Sequence, residues 1–526
     1  MANQLWARKP LEVLLEEMKG DHRLRRVLGP VQLTSLGVGA IIGAGIFVAT
    51  GAAAHNTAGP ALMVSYCIAG ITCVFAALCY AEFASMAPVA GSAFTYAYAT
   101  LGELFAWIIG WDLVLEYAVG SATVANGWSS FFQSLLPGMG IHLPDAIRQA
   151  PIVYDATAGH FVRTNGYVNL PAVIIVLIVT AVLVKGIQES ASFNATMVGV
   201  KLAAVLFVII VGAFYINPAN WQPFAPYGWG GLNLFGYTLG TESAGGTPVG
   251  MLAGSAIIFF AYIGFDSVST HAEEAKRPNR DVPIGIVASL IICTVLYVAV
   301  VVVLTGMVKY NQIDTGAGVS TAFKTVGLNW AEFIIAAAGV AGITSVLLVM
   351  MLSGPRVFLA MARDGLVPPK FFADVHPRFR TPWKSTILIG CFVSIGAGLL
   401  PIDALLQMTN IGTLFAFTVV CIAVLIMRRT HPNAERPFRC PMVPLVPILG
   451  VLMCLMLMFS LPWANWMRLI VWLLLGLIIY FVYSRNHSFM RSYLAHEISA
   501  HGVSPAGALV DDIDTKDKAH PDADHR

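Results

Sequence analysis

Apolar residues gather into twelve stretches, at about 32–54, 60–86, 94–118, 167–187, 194–216, 249–270, 284–306, 331–360, 386–402, 404–427, 442–461 and 467–484. About 20 predominantly apolar residues are what a helix needs to cross a bilayer. The pattern therefore predicts an all-α integral membrane protein with about 12 transmembrane helices. The ninth and tenth stretches are joined by a tight turn at Leu400-Pro401-Ile402-Asp403. Two stretches are interrupted by glycine where a lone membrane helix is normally unbroken. The first reads Gly39-Ala40-Ile41-Ile42-Gly43-Ala44-Gly45-Ile46-Phe47, and the sixth Phe259-Phe260-Ala261-Tyr262-Ile263-Gly264-Phe265-Asp266.

The composition fits this reading. Of 526 residues, 57% are hydrophobic and 11% charged, whereas a soluble domain carries about 25% charged residues. A net charge of +2 offers no electrostatic footprint for nucleic acid. The balance also conceals an asymmetry. If the N-terminus is cytoplasmic, nineteen lysines and arginines fall in cytoplasmic segments, among them Arg8, Lys9, Lys276, Arg277, Arg363, Arg428 and Arg436. The other side holds Arg148, Arg163, Lys309, Lys324 and Arg468. Positive residues stay inside, so both termini are expected in the cytoplasm of a multi-pass cell (inner) membrane protein.

Residues 1–31 contain no apolar core of a signal peptide. Pro10 to Met18 reads instead as a short amphipathic helix on the cytoplasmic membrane surface. The span region is 32–484, and 485–526 forms a polar cytoplasmic tail with little to bury, expected to be disordered. Its scattered histidines, His496, His501, His520 and His525, lack the spacing of a metal site. Seven of the eight cysteines lie in apolar runs and none pairs as CxxC, so they read as small core residues, and no metal or cofactor is expected. The loops 138–166 and 217–248 are expected to cap an outer vestibule.

Backbone at membrane depth leaves the helical ladder only where it is buried in protein or lines a cavity. Interrupted helices in corresponding halves of a transporter mark a midplane substrate site. After the first break, the amides of Gly43, Ala44 and Gly45 stand at the positive end of a half-helix, which suits a carboxylate. The second break, Ile263-Gly264-Phe265, offers carbonyls that suit an ammonium group. Together they match the constant part of an α-amino acid, with Ile42, Gly43, Ala44, Gly45, Phe260, Ile263 and Gly264 as the binding set. Phe260 reads either as an aromatic gate or as a packing residue. The glycines alone also fit close helix packing.

These stretches resemble a known family from Lys9 to about Ser484. The resemblance rests on Leu36–Phe47, Tyr80-Ala81-Glu82-Phe83-Ala84 with Gly91-Ser92-Ala93, Gly110–Tyr117, Phe260–Asp266 followed by Glu273-Glu274, and Pro355–Gly365. The sequence is similar to bacterial members of the cationic amino acid transporter group in the amino acid–polyamine–organocation superfamily. The resemblance implies a five-plus-five inverted repeat with broken helices 1 and 6, two appended helices, and alternating access around a bound amino acid. That group includes carriers of neutral amino acids, so the substrate side chain stays open.

Ionisable residues within spans are functional by default. Lys201 lies about seven residues inside the fifth stretch, roughly 10 Å at 1.5 Å per residue. It either snorkels to the interface or serves proton coupling, and the resemblance implies an ammonium standing where sodium-driven cousins bind sodium. Thr344-Ser345, adjacent hydroxyls in the eighth stretch, point the other way. A sodium ion and a charged lysine would repel strongly in that low dielectric, so protons are favoured. Glu116 is deep enough to need a partner: Lys201, a proton, a cationic substrate side chain, or a structural hydrogen bond. Asp266 is a candidate for gating, and Glu82 and Asp112 for structure or gating. Glu273 and Glu274, ahead of Lys276, Arg277 and Arg280, suggest an inner-gate salt bridge or a solvated loop.

The expected function is a proton-coupled secondary transporter importing L-amino acids through the lipid bilayer. The alternative is an amino acid or amine exchanger needing no proton. No HExxH, nucleophile elbow or paired intramembrane aspartates support an enzyme, and no GxxxxGK[ST] supports a primary pump.

Overall fold

The computed structural model describes residues 2–10, 28–86, 92–155, 160–186, 191–243, 246–270, 275–379 and 381–493. Every expected span has a helical counterpart. Span one runs from Pro30–Ile41 through a break to a second half, Gly45–Ala58, built of a π turn, an α turn and another π turn. Pro30 opens it, since a first-turn proline loses no hydrogen bond, and Gly59 (φ +60°) with Pro60 ends it. Span two is Leu62–Met86, span four Leu170–Lys185, span five Ala191–Ala213 and span seven Pro278–Met307. Spans eight to twelve are Asn329–Arg363, Trp383–Leu399, Ile402–Thr430, Leu445–Met458 and Trp463–Ile479. Among the described residues, eight segments are long and apolar enough to cross a membrane, and four shorter apolar helices accompany them.

Span three departs from the expected 94–118. Ser92–Thr100 is a separate short helix, and the span itself is Glu103–Leu135. The chain turns at Gly102, whose φ of +107° a side chain would resist. A Cβ there would also lie 2.7 Å from the Trp6 backbone. The apolar pattern runs on through this turn, which is why periodicity alone does not find it.

Span four shows how the outer faces are made. Ile174, Leu177, Ile178 and Val182 are exposed at helical spacing, a lipid-facing stripe, while Ala172, Val176 and Val179 on the other face are buried. The loops after spans three and five carry three short antiparallel strand pairs: Ile152–Asp155 with His160–Arg163, Leu232–Leu234 with Tyr237–Leu239, and Thr241–Glu242 with Pro248–Val249. The Tyr227 hydroxyl donates to the His55 carbonyl, which sets the second loop over one end of span one.

At the end of span two on the basic side, Glu82 is 1% exposed and clamped. Arg428 donates from Nε and Nη2 to its two oxygens, each at 2.8 Å, Arg436 Nε approaches at 3.2 Å, and the Cys440 amide donates at 2.8 Å. Glu82 is therefore a structural tie between span two and the segment after span ten. Nearby, Lys9 pairs with Asp364 at 2.8 Å, and Gln4 bonds both Glu103 and Ser488. Residues 485–493, grouped with the tail by composition, are thus partly packed against the bundle. The amphipathic 11–18 segment, Glu273 and Glu274, and the tail from 494 onward lie outside the described residues.

Candidate functional site

A helix end leaves its last four carbonyls and first four amides without intrahelical partners. Each break therefore creates two such ends inside the bundle, and the surrounding spans answer them one group at a time. At the first break, Ile42 is extended (φ −71°, ψ 104°) and its amide still reaches the Val38 carbonyl at 2.9 Å. The helix resumes from Ala44. The Gly39 carbonyl accepts from Lys201 Nζ at 2.6 Å, and the Ile41 carbonyl from the Tyr297 hydroxyl at 2.9 Å. Lys201 is 1% exposed, and its stem lies against Gly342 of span eight, 3.1 Å from where a Cβ would sit. The side chain does not snorkel. Its ammonium caps the negative end of a half-helix in the interior, the favourable sign for that dipole.

At the second break, Met251–Ile258 tightens into a 3₁₀ turn, Phe259–Tyr262, and the chain then extends at Ile263 (φ −59°, ψ 133°). Gly264 takes φ +119°. Asn410 of span ten donates from one amide nitrogen to the Ala256 and Ile257 carbonyls, both at 2.8 Å. Ser267 covers the Gly264 carbonyl, with its amide at 3.1 Å and its hydroxyl at 2.5 Å.

The breaks touch. A Cβ on Gly45 would fall onto the Cα of Ala261, and one on Gly264 would lie 2.9 Å from the Ala40 carbonyl. Close packing thus accounts for both glycines, and the same approach exposes backbone at the crossing. Gly43 faces Val346 of span eight, 2.6 Å from its added Cβ. A Cβ on Gly127 of span three would lie 3.3 Å from Ala44. The amides after Ile42 are therefore ringed by spans three, six and eight.

Phe260 is 5% exposed, and among the described residues it makes no ring–ring contact, whereas neighbouring Phe259 meets Phe417 edge-on at 5.6 Å. Asp266 accepts from the Tyr117 hydroxyl at 3.3 Å. Glu116 and Asp112, one turn apart on span three, are buried, and among the described residues none of their four oxygens has a hydrogen-bond partner. Glu116 thus makes no hydrogen bond to Lys201, and the charged groups it faces are Asp266 and Asp112. Thr413 lies beside it but donates to the Thr409 carbonyl.

The span-eight hydroxyls are engaged: Thr344 donates to the Val340 carbonyl and accepts from Trp128 Nε1 at 2.8 Å, and Ser345 donates to the Gly342 carbonyl. Among the described residues, no group of three His, Cys, Asp or Glu could hold a metal ion. Tyr297 and Asn410 escaped sequence reasoning. A tyrosine or asparagine in an apolar run carries no motif, and its value shows once the severed carbonyls are located.

The sequence matches the amino acid permease family over residues 28–483. It is 44% identical to the methylthioribose transporter of Bacillus subtilis, over 93% of this chain and 100% of that one. It is 45% identical to the branched-chain amino acid permease BcaP of Bacillus subtilis, over 93% and 99% of the two chains. Vacuolar cationic amino acid transporter 4 of Arabidopsis thaliana is 38% identical, over 82% of this chain and 68% of that protein. With two interrupted helices meeting in a multi-span bundle and a family match along most of its length, the chain belongs to the amino acid permeases, a family of transporters rather than enzymes.

Proposed function

We propose that this permease imports L-amino acids across the cell (inner) membrane by alternating access, driven by protons, with both termini in the cytoplasm. The observation that carries the reading is the buried Lys201 ammonium on the Gly39 carbonyl. It places one titratable positive charge on the half-helix that must move if span one is to open. Loss of its proton removes the charge that caps that end, so protonation and closure of span one are linked.

The amides of Gly43, Ala44 and Gly45 receive the substrate carboxylate, as half-helix N-termini do in transporters. Since Ser267 takes the Gly264 carbonyl, the Ile263 carbonyl is the acceptor we assign to the substrate ammonium. Phe260 closes over the ligand. Glu116 accepts and passes on the proton, and Asp266 links substrate binding to gating through its bond to Tyr117. Lys201 disfavours a sodium ion beside the Thr344 and Ser345 hydroxyls, by charge repulsion.

The test is uptake of labelled L-isoleucine and L-lysine into proteoliposomes under an inward pH gradient, an inward sodium gradient, and counterflow without either. Accumulation on the pH gradient supports the reading, sodium-driven accumulation rejects the coupling, and counterflow alone leaves an exchanger. Labelled methylthioribose is tested in the same vesicles. It lacks both carboxylate and ammonium, so if it alone is carried, the two-break amino acid site is wrong.

A further inference from the structure

Tyr297 stands two-thirds of the way along span seven and is fully buried. Its hydroxyl lies 2.9 Å from the Ile41 carbonyl and 3.1 Å from the Ala261 carbonyl. Ile41 is the last helical residue before the first break, and Ala261 belongs to the 3₁₀ turn that leads into the second. A phenol has one O–H to donate, so a single hydrogen is shared between two carbonyls from two different severed helices. The ring has little freedom to leave. Tyr66 and Tyr262 each meet it edge-on at 5.6 Å, and Tyr262 is itself held by its bond to the Tyr66 carbonyl at 2.9 Å.

This hydroxyl sits where the breaks touch, because Ala261 is the residue that Gly45 packs against. Neighbouring Tyr66 makes a useful contrast. Its hydroxyl is equally buried and also bonded, at 2.7 Å to Thr50, but that partner lies beyond the break, in the second half of span one.

We propose that Tyr297 is a positioning residue for the substrate. It fixes the register of the two breaks, so that the amides after Ile42 and the carbonyl at Ile263 address one ligand. This rests on the amino acid reading above. Without the hydroxyl the two carbonyls lose their common donor, the half-helices slide against each other, and the ligand must reassemble the site at the cost of affinity. The residue does not touch the ligand, so the effect falls on KM rather than kcat.

The experiment is Tyr297→Phe with Tyr66→Phe as its control, both in proteoliposomes, using whichever of L-isoleucine and L-lysine the native protein accumulates. For Tyr297→Phe, KM should rise about tenfold, which equals about 1.4 kcal/mol, with kcat within about twofold. Tyr66→Phe should lose as much melting temperature as Tyr297→Phe and keep KM within about twofold. An unchanged KM in Tyr297→Phe overturns the proposal, and so does an equal rise in both variants, which would mean general loosening of the core. If Tyr297→Phe does not fold, 3-fluorotyrosine at position 297 keeps the ring and strengthens the donor. KM below the native value is then expected, and an unchanged value overturns the proposal. A native protein that carries neither amino acid refutes the amino acid reading instead.

Discussion

The two breaks face opposite electrostatic surroundings. The first ends against a cation, with Lys201 on the Gly39 carbonyl. The second leads into acids: Asp266 bonded to Tyr117, then Glu116 and Asp112, whose four oxygens have no partner among the described residues. A severed helix end that points carbonyls into the bundle is satisfied by positive charge, and one ammonium suffices. Buried carboxyls are a different matter, because a charge left alone in such a place is very costly. The Gly39 carbonyl is thus met by a cation, whereas the Glu116 and Asp112 carboxyls on span three make no hydrogen bond among the described residues.

The comparison breaks most completely at the crossing itself. Gly45→Leu should yield no folded transporter, since even a Cβ would fall onto Ala261. Size-exclusion of the solubilised protein reads this directly, and full uptake by the milder Gly45→Ala would show that the breaks do not need their contact. Next in size, Lys201→Gln should reduce pH-driven uptake at least tenfold while counterflow persists. Uptake that still follows the pH gradient would remove Lys201 from the coupling.

Glu116→Gln keeps shape and removes the acid. Its uptake should fall about tenfold, a barrier increase of about 1.4 kcal/mol, with a flattened pH profile and no loss of melting temperature. A drop in stability with an unchanged profile would make Glu116 structural after all. The smallest effect belongs to Thr344→Val. It loses the Trp128 hydrogen bond, worth about 1 kcal/mol of stability, and uptake should be the same in sodium and in potassium. Sodium dependence in the native protein that vanishes in Thr344→Val would reverse the roles assigned to Lys201 and Thr344.

Much of this was legible in the chain. Span number followed from apolar run length, and both breaks from glycines that no lipid-facing helix needs. Lys201 stood out because its charge contradicts its neighbours. What escaped had the opposite character. The Gly102 turn lies inside an uninterrupted apolar pattern and is set by backbone freedom and by the Trp6 main chain, a contact across 96 positions of sequence. Asn410 and Tyr297 answer carbonyls of other spans, and backbone acceptors leave no trace in a residue pattern. Which of the four partners open to Glu116 it meets was hidden for the same reason. The sequence places Glu116 and Lys201 at membrane depth but says nothing about which faces of spans three and five look at each other.

The Glu82 clamp has a consequence for biogenesis. Its carboxylate belongs to span two, but its first arginine lies 346 residues downstream, at the end of span ten. At about 5–20 residues per second, Arg428 leaves the ribosome roughly 20 to 70 s after Glu82. Throughout that interval the carboxylate lacks the partners that later bury it, and it must stay hydrated at the membrane edge. Span two therefore cannot settle to its final depth until the second half of the protein arrives. The clamp is a late checkpoint of assembly, and a chain truncated before span ten should leave Glu82 open to water and to quality control.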